Sequence, residues 1–314
     1  MKPKKLIRLL LQILFILMCA VFIYRYFQAH REEWRRALEI PLAVQAELIL
    51  FLGINNILAS IKLLRILKNL GLTRISYSAW LQIFLQSRFI NFHVTQGANA
   101  YRIAKLKAAY QFPYTKSLGM TVYFTWFETT ATLVIALFLL IFLGYVQNPV
   151  FLGLAAFLVG LLVGPFLFLQ IFTALPQTTG FLQWARTKVQ ELITQITGQM
   201  RDPKLSAGIA FLTWWMFFFY CLTVFLTFHA LKFSVTPLQA VTFTVVLLLS
   251  RVINVTPANL GLTEIVCGYL AGFLGSTMGA GILVAGILRV LEYILIGVCA
   301  VFFFLKDQRK SSSS

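Results

Sequence analysis

The chain has 314 residues, of which 59% are hydrophobic and only 12% charged, with a formal net charge of +17 and a mean hydropathy of +0.82. A soluble domain carries about 25% charged residues, so that class is excluded, and the long apolar runs specify an all-α polytopic membrane protein. The basic excess sits at the ends of those runs, where it orients segments and meets anionic lipid; it predicts no nucleic-acid partner.

In chain order, M-K-P-K-K-L-I-R and the apolar residues after it predict a first span at about 6–27. No small-residue cleavage site follows, so this reads as a retained signal anchor. Residues 28–43 are amphipathic, with Trp34 placed for an interfacial helix. A second span at about 44–64 ends in Lys62, Arg65, Lys68 and Arg74, which read as a basic cytoplasmic flank. Residues 77–112 are apolar but interrupted, and Arg102, Lys105, Lys107 and Lys116 form a further basic flank. Two basic flanks on one side require an even number of crossings between them, so 77–94 and 100–112 are predicted to enter and leave from the cytoplasm as a re-entrant pair.

Further spans are expected at about 117–143, 151–172, 207–230 and 280–305, with a net-positive cytoplasmic segment at 173–206. Between the last two spans, 238–274 is broken by T-P-A-N-L-G and reads as a second re-entrant pair, entering from outside. The expected architecture is six full spans with both termini cytoplasmic. It divides into a signal-anchor span and interfacial helix (1–43), a first repeat (44–143), a linking span with its amphipathic segment (144–206), a second repeat of inverted sense (207–305) and a cytoplasmic tail (306–314). The expected location is a cell membrane, multi-pass, of a prokaryote.

The repeat has a sequence echo. Ser87, Arg88, Ile90 and Asn91 recur as Ser250, Arg251, Ile253 and Asn254, and Glu128 and Glu292 follow each copy in the next apolar run. Backbone groups freed at a break inside a bilayer must meet protein or a wet cavity. Gly97 marks the first break, and Pro257 and Gly261 the second. Thr256 and Asn259 could cap the broken ends, and the helix beginning near Asn259 has a positive end that suits a phosphate or carboxylate.

A charged side chain at the bilayer centre costs roughly 2.5–3.5 kcal/mol on insertion scales, so Arg88 and Arg251 are expected to pair with Glu128, Glu264 or Glu292. Arg102 and Arg289 extend the basic set. With Asn91, Asn254 and Asn259 they form the candidate substrate-binding group, against a reading in which they are structural ion pairs and interhelical hydrogen bonds.

Four cysteines and three histidines stand singly in apolar or turn positions. They predict neither disulfide nor metal site, and no cofactor is expected. No G-x-S-x-G, H-E-x-x-H or P-loop pattern is present, so an enzyme is not expected. Small-xxx-small spacings such as Gly160/Gly164 and Gly268/Gly272 leave a homo-oligomer open.

The two halves, the T-P-A-N-L-G-L-T-E segment and the late run bearing Glu292 resemble the transmembrane, flippase-like domain of lysylphosphatidylglycerol synthases and its stand-alone relatives, over about 6–305. Pro257, Gly261 and Glu264 after Asn254 match that family's Pro/Gly-rich turn followed by glutamate. Gly97 with Arg102 resembles its Gly-rich turn followed by arginine. Val94-Thr95, Asn99-Ala100 and Ala258-Asn259 depart from the pattern.

The resemblance implies inverted re-entrant repeats and movement of an anionic phospholipid or lipid-linked saccharide between leaflets. The alternative is a non-transporting scaffold that presents lipid to a partner glycosyltransferase or other membrane enzyme. Aminoacyl transfer in that family belongs to a separate soluble domain. None is expected in a chain ending soon after its last apolar run.

Overall fold

Apolar runs with internally satisfied backbones dictate helices, and every regular element among the described residues is helical. The computed structural model describes residues 17–19, 21–26, 28, 30–94, 96–142, 201–250 and 259–311, with scattered positions between 156 and 198. The helices are α1 (Arg31–Leu38), α2 (Leu42–Asn69), α3 (Tyr77–His93), α4 (Gly97–Tyr110), α5 (Tyr114–Phe142), α6 (Pro203–Ala230), α7 (Pro237–Ser250), α8 (Leu262–Phe273) and α9 (Met278–Ser311).

Four of these are long and apolar enough to cross a membrane: α2, α5 over Tyr114–Leu139, α6, and α9 over Met278–Leu305. The chain is a multi-pass membrane protein. Most of the expected span at 151–172, most of that at 6–27 and most of the expected cytoplasmic segment at 173–206 lie outside the described residues.

Element lengths repeat along the chain. A long helix, two short ones and a long one (α2, α3, α4, α5) are followed later by the same order (α6, α7, α8, α9). At 12 to 17 residues, the four short helices fall below the roughly 20 residues that span a bilayer.

Local chemistry sets the helix starts. Thr236-Pro237-Leu238-Gln239 is a capping box: Gln239 N–H donates to Thr236 Oγ1 at 3.2 Å, Thr236 N–H donates to Gln239 Oε1 at 2.8 Å, and Pro237 supplies the first helical residue. Asp202 Oδ1 accepts from the backbone N–H groups of Lys204 and Leu205 ahead of α6. Thr277 caps α9 through Ala280 N–H at 3.1 Å.

The chain forms two compact units. The first comprises residues 1–58, 81–101 and 215–314; the second comprises 59–80 and 102–214. The core of the first is built from α2, α6, α7, α8 and α9, with Leu48, Phe228, Phe243, Cys267 and Val284 all buried. Phe228 and Phe243 meet edge to face, 5.0 Å between ring centroids.

Within this unit α7 and α8 are an antiparallel hairpin. Gln239 Nε2 reaches Leu274 O at 2.7 Å at one end, and Asn259 Nδ2 reaches Ser250 O at 3.0 Å at the other. In turn α8 packs closely on α9. Gly281 permits that approach, because a side-chain carbon there would overlap the Cys267 carbonyl oxygen. In the second unit Trp80 is fully buried, and its indole N–H donates to Ser60 O at 2.8 Å.

Candidate functional site: ion pairs within the apolar helices

The first unit carries two ion pairs that share α9. Arg289 and Glu292 lie three residues apart, neighbours on one helical face. Arg289 Nη1 stands 2.5 Å from Glu264 Oε1 of α8, and Glu292 Oε1 stands 2.5 Å from Arg88 Nη2 of α3. Both carboxylates are buried. Each pair holds one positive and one negative group, so charge is balanced within each. That balance is what an apolar setting demands: a lone buried ion costs several kcal/mol even after relaxation.

Glu264 does two things. Its Oε2 accepts the Gly261 N–H at 2.8 Å, holding the start of α8, while its Oε1 holds Arg289. Gly261 lies at φ +83, in the left-handed region that glycine tolerates without strain. Asn259, φ +55, also lies there. Its carbonyl accepts from Arg289 Nη2 at 3.4 Å, and its amide nitrogen donates to Ser250 O. Asn259 therefore ties the turn to the end of α7; capping α8 falls to Glu264.

The short-helix pairs match in detail. In α3, six residues before its end, Ser87 Oγ donates to Phe84 O, and at the end of α7 Ser250 Oγ donates to Leu247 O, each bond reaching three residues back. Gln96 (φ +63) follows Ser87 at the same separation as Asn259 (φ +55) follows Ser250. Hence the recurrence of the S-R-x-I-N sequence coincides with recurrence of a left-handed residue. In the first pair Gly97 N–H donates to Val94 O at 2.9 Å, and α4 begins at Gly97, where a side-chain carbon would crowd Ile90.

Glu128 sits in the second unit and has a different partner. Lys62 Nζ donates to Glu128 Oε1 at 2.6 Å and to Thr213 Oγ1 at 3.2 Å, and lies 4.3 Å from the Phe124 ring centroid. Lys62 has no solvent exposure, whereas the Glu128 side chain is 35% exposed. This corrects the reading of Lys62 as a flank residue: α2 continues to Asn69, which places Lys62 two turns inside the helix rather than at its end. Arg102 is half-buried in the second unit, and Asn91 half-buried on α3. Arg251, Asn254 and Pro257 lie outside the described residues.

Beside the α8–α9 ion pair is a cavity of about 340 Å³ in the first unit. Its walls are Ile23, α1 with the following turn, the start of α2 at Gln45 and one side of α9, with Gln45 and Glu264 as the polar residues in an otherwise apolar lining. Next to the Arg88–Glu292 pair, Tyr293 stacks edge-on to Phe92 and its hydroxyl lies 3.3 Å from His93 Nε2.

A family model for the transmembrane region of lysylphosphatidylglycerol synthase matches residues 9–300. That stretch covers every ion pair described above. No curated protein and no solved structure matches the chain significantly.

Proposed function

The chain belongs to the family of the lysylphosphatidylglycerol synthase transmembrane region, and from that membership we propose that it moves an anionic phospholipid or lipid-linked saccharide between leaflets. In this reading α3–α4 and α7–α8 are re-entrant pairs that enter from opposite faces, the first from the cytoplasm and the second from outside. The repeated order of helix lengths, the serine bonds and the matched left-handed residues support two repeats; opposite insertion rests on the positive-inside rule. The cytoplasmic placement of both termini follows from the same rule.

One observation carries the proposal. Arg88 from the first short pair and Glu264 from the second are both ion-paired to α9, through Glu292 and Arg289. A phosphate reaching Arg88 competes directly with Glu292, because its oxygens would take the Nη2 donor that holds Glu292 Oε1. Arg88 remains 35% exposed at its side chain, against 8% for Glu292, so the cation of the pair is the accessible partner. Displacing Glu292 would loosen α9 from α3. Taking the head group past Arg289 would disturb the α8 cap in the same way. The sequence carries no nucleotide-binding motif; the membrane potential supplies about 2.3 kcal/mol per charge per 100 mV, enough to bias an anion's distribution.

The test is translocation of fluorescent phosphatidylglycerol in protein-loaded liposomes. The reading expects protein-dependent loss of outer-leaflet signal, reduced by Arg88→Gln. Folded protein that leaves anionic lipids in place would sink transport. Co-purification of a membrane enzyme under those conditions would favour the lipid-presenting scaffold.

A further inference from the structure

The cavity beside α9 has a shape that the head-group reading does not use. It is bounded on α9 by Ile282, Leu283, Gly286, Ile287, Val290 and Leu291. These follow the three- and four-residue spacing of one helical side. Arg289 borders this side, and Glu292 lies on the far side of the helix. The lined stretch, from 282 to 291, is about 13 Å long at 1.5 Å per residue. Trp34 and Ala37 of α1 bound it too.

Gly286 is what leaves this wall open. A carbon built on it would find nothing within 4 Å. Glu264 adds no net charge to the wall, because Arg289 neutralises it. Apolar cavities of this kind stay dry and take apolar guests, and about 340 Å³ lies at the lower end of the range of ligand pockets. In a protein surrounded by lipid, the abundant molecule that is apolar, narrow and long enough is a hydrocarbon chain. A length of about 13 Å matches about ten methylenes of such a chain, and α1 is amphipathic, as a helix lying at the head-group level is.

We infer that this cavity seats one acyl chain of a membrane phospholipid, along α9 and beneath α1. The inference rests on the transport reading for its meaning but not for its test. If it holds, head group and chain are handled on different sides of one helix: Arg289 at the edge of the groove and Glu292 on the far side, with the groove around Gly286 between α9 and α1. Gly286 then acts as the determinant of chain fit, and a larger residue there competes with the chain for the same space.

The test uses the full chain in nanodiscs of phosphatidylcholine containing phosphatidylglycerol with a photoactivatable diazirine in one acyl chain. Labelled peptides are mapped by mass spectrometry. The expected result is preferential labelling within 282–291, reduced about tenfold by Gly286→Leu and not by Gly272→Leu. Gly272 has equally open surroundings but does not line the cavity.

Labelling spread evenly over the exposed positions Val298, Phe302 and Leu305 of the same helix would overturn the inference. So would unchanged labelling in a folded Gly286→Leu protein. Should that variant fail to fold, the wild-type map alone still decides between groove and exposed surface. Translocation is measured on the same preparations: site-specific labelling without translocation sinks transport alone, and translocation without site-specific labelling sinks the chain seat alone.

Discussion

Lys62 donates a 2.6 Å hydrogen bond to Glu128 from a side chain with no solvent exposure, while Glu128 keeps 35% of its own. The pair is thus asymmetric, and its two halves are not equivalent to remove. Glu128→Gln leaves an ammonium in the interior with only Thr213 and the Phe124 ring. Lys62→Met leaves a carboxylate that can still reach water. Breaking a buried pair from one side costs on the order of 3–5 kcal/mol. The prediction is that Glu128→Gln lies near that range, Lys62→Met falls below it, and the double variant recovers part of the loss. Unfolding midpoints of all four proteins in one detergent give the cycle; strict additivity would show that the pair is not coupled.

The α8–α9 contact predicts opposite signs for two glycine substitutions on one helix. Gly281→Ala drives a methyl into the Cys267 carbonyl, and overpacking against a backbone costs about 1–3 kcal/mol. Gly286→Ala meets nothing within 4 Å and removes glycine from a helix interior, worth about 0.5–1 kcal/mol in the stabilising direction. Thermal midpoints should fall for the first and hold or rise for the second. Equal effects would mean that the two helices do not meet as described.

Neutralising the α3–α9 pair separates structure from transport. Arg88→Gln alone takes the Arg88 charge from the buried Glu292, and is expected to lower both stability and translocation. Arg88→Gln with Glu292→Gln removes both charges and restores most of the stability. If the guanidinium receives the head group, the double variant stays at least about tenfold slower with phosphatidylglycerol. A double variant that translocates at the wild-type rate assigns the pair a purely structural role.

How much of this was legible depended on whether a residue's role is local. The long helices follow from apolar runs. The breaks follow from Gly97 and Gly261, and the capping of α7 from T-P-L-Q. That Arg88 needed a carboxylate followed from the cost of burying charge, but three glutamates were available, and choosing Glu292 requires knowing which helices touch. Lys62 was misread for a physical reason: a lysine near the end of an apolar run has the same local pattern whether the helix stops or continues. Only Asn69, two turns later, ends α2. The one hint was Glu128, an acid in an apolar run that needed its own cation. Asn259 ties off one of the two broken ends, the last carbonyl of α7 at Ser250, while the start of α8 is held by Glu264, three residues after Gly261. The cavity was invisible, since no single residue encodes a void.

Outside the apolar helices, one contact predicts a pH dependence. Lys232 Nζ donates to Glu39 Oε2 at 3.0 Å, joining the turn after α6 to the turn after α1. That hydrogen bond first, then the charge of Lys232 with smaller contributions from Arg35 and Arg36, holds the Glu39 carboxyl below its ordinary value of 4.5. A carboxyl depressed in the folded state stabilises it at pH above the unfolded value, and the contribution disappears as pH falls through the folded value. Wild type should therefore exceed Glu39→Gln in unfolding midpoint at neutral pH, with the gap closing as the pH is taken below 4.5. Because the pair is exposed, the gap should be small and should also close in about 1 M salt, where the screening length is about 3 Å. A gap that persists or widens in acid would show that Glu39 acts through packing rather than through its charge.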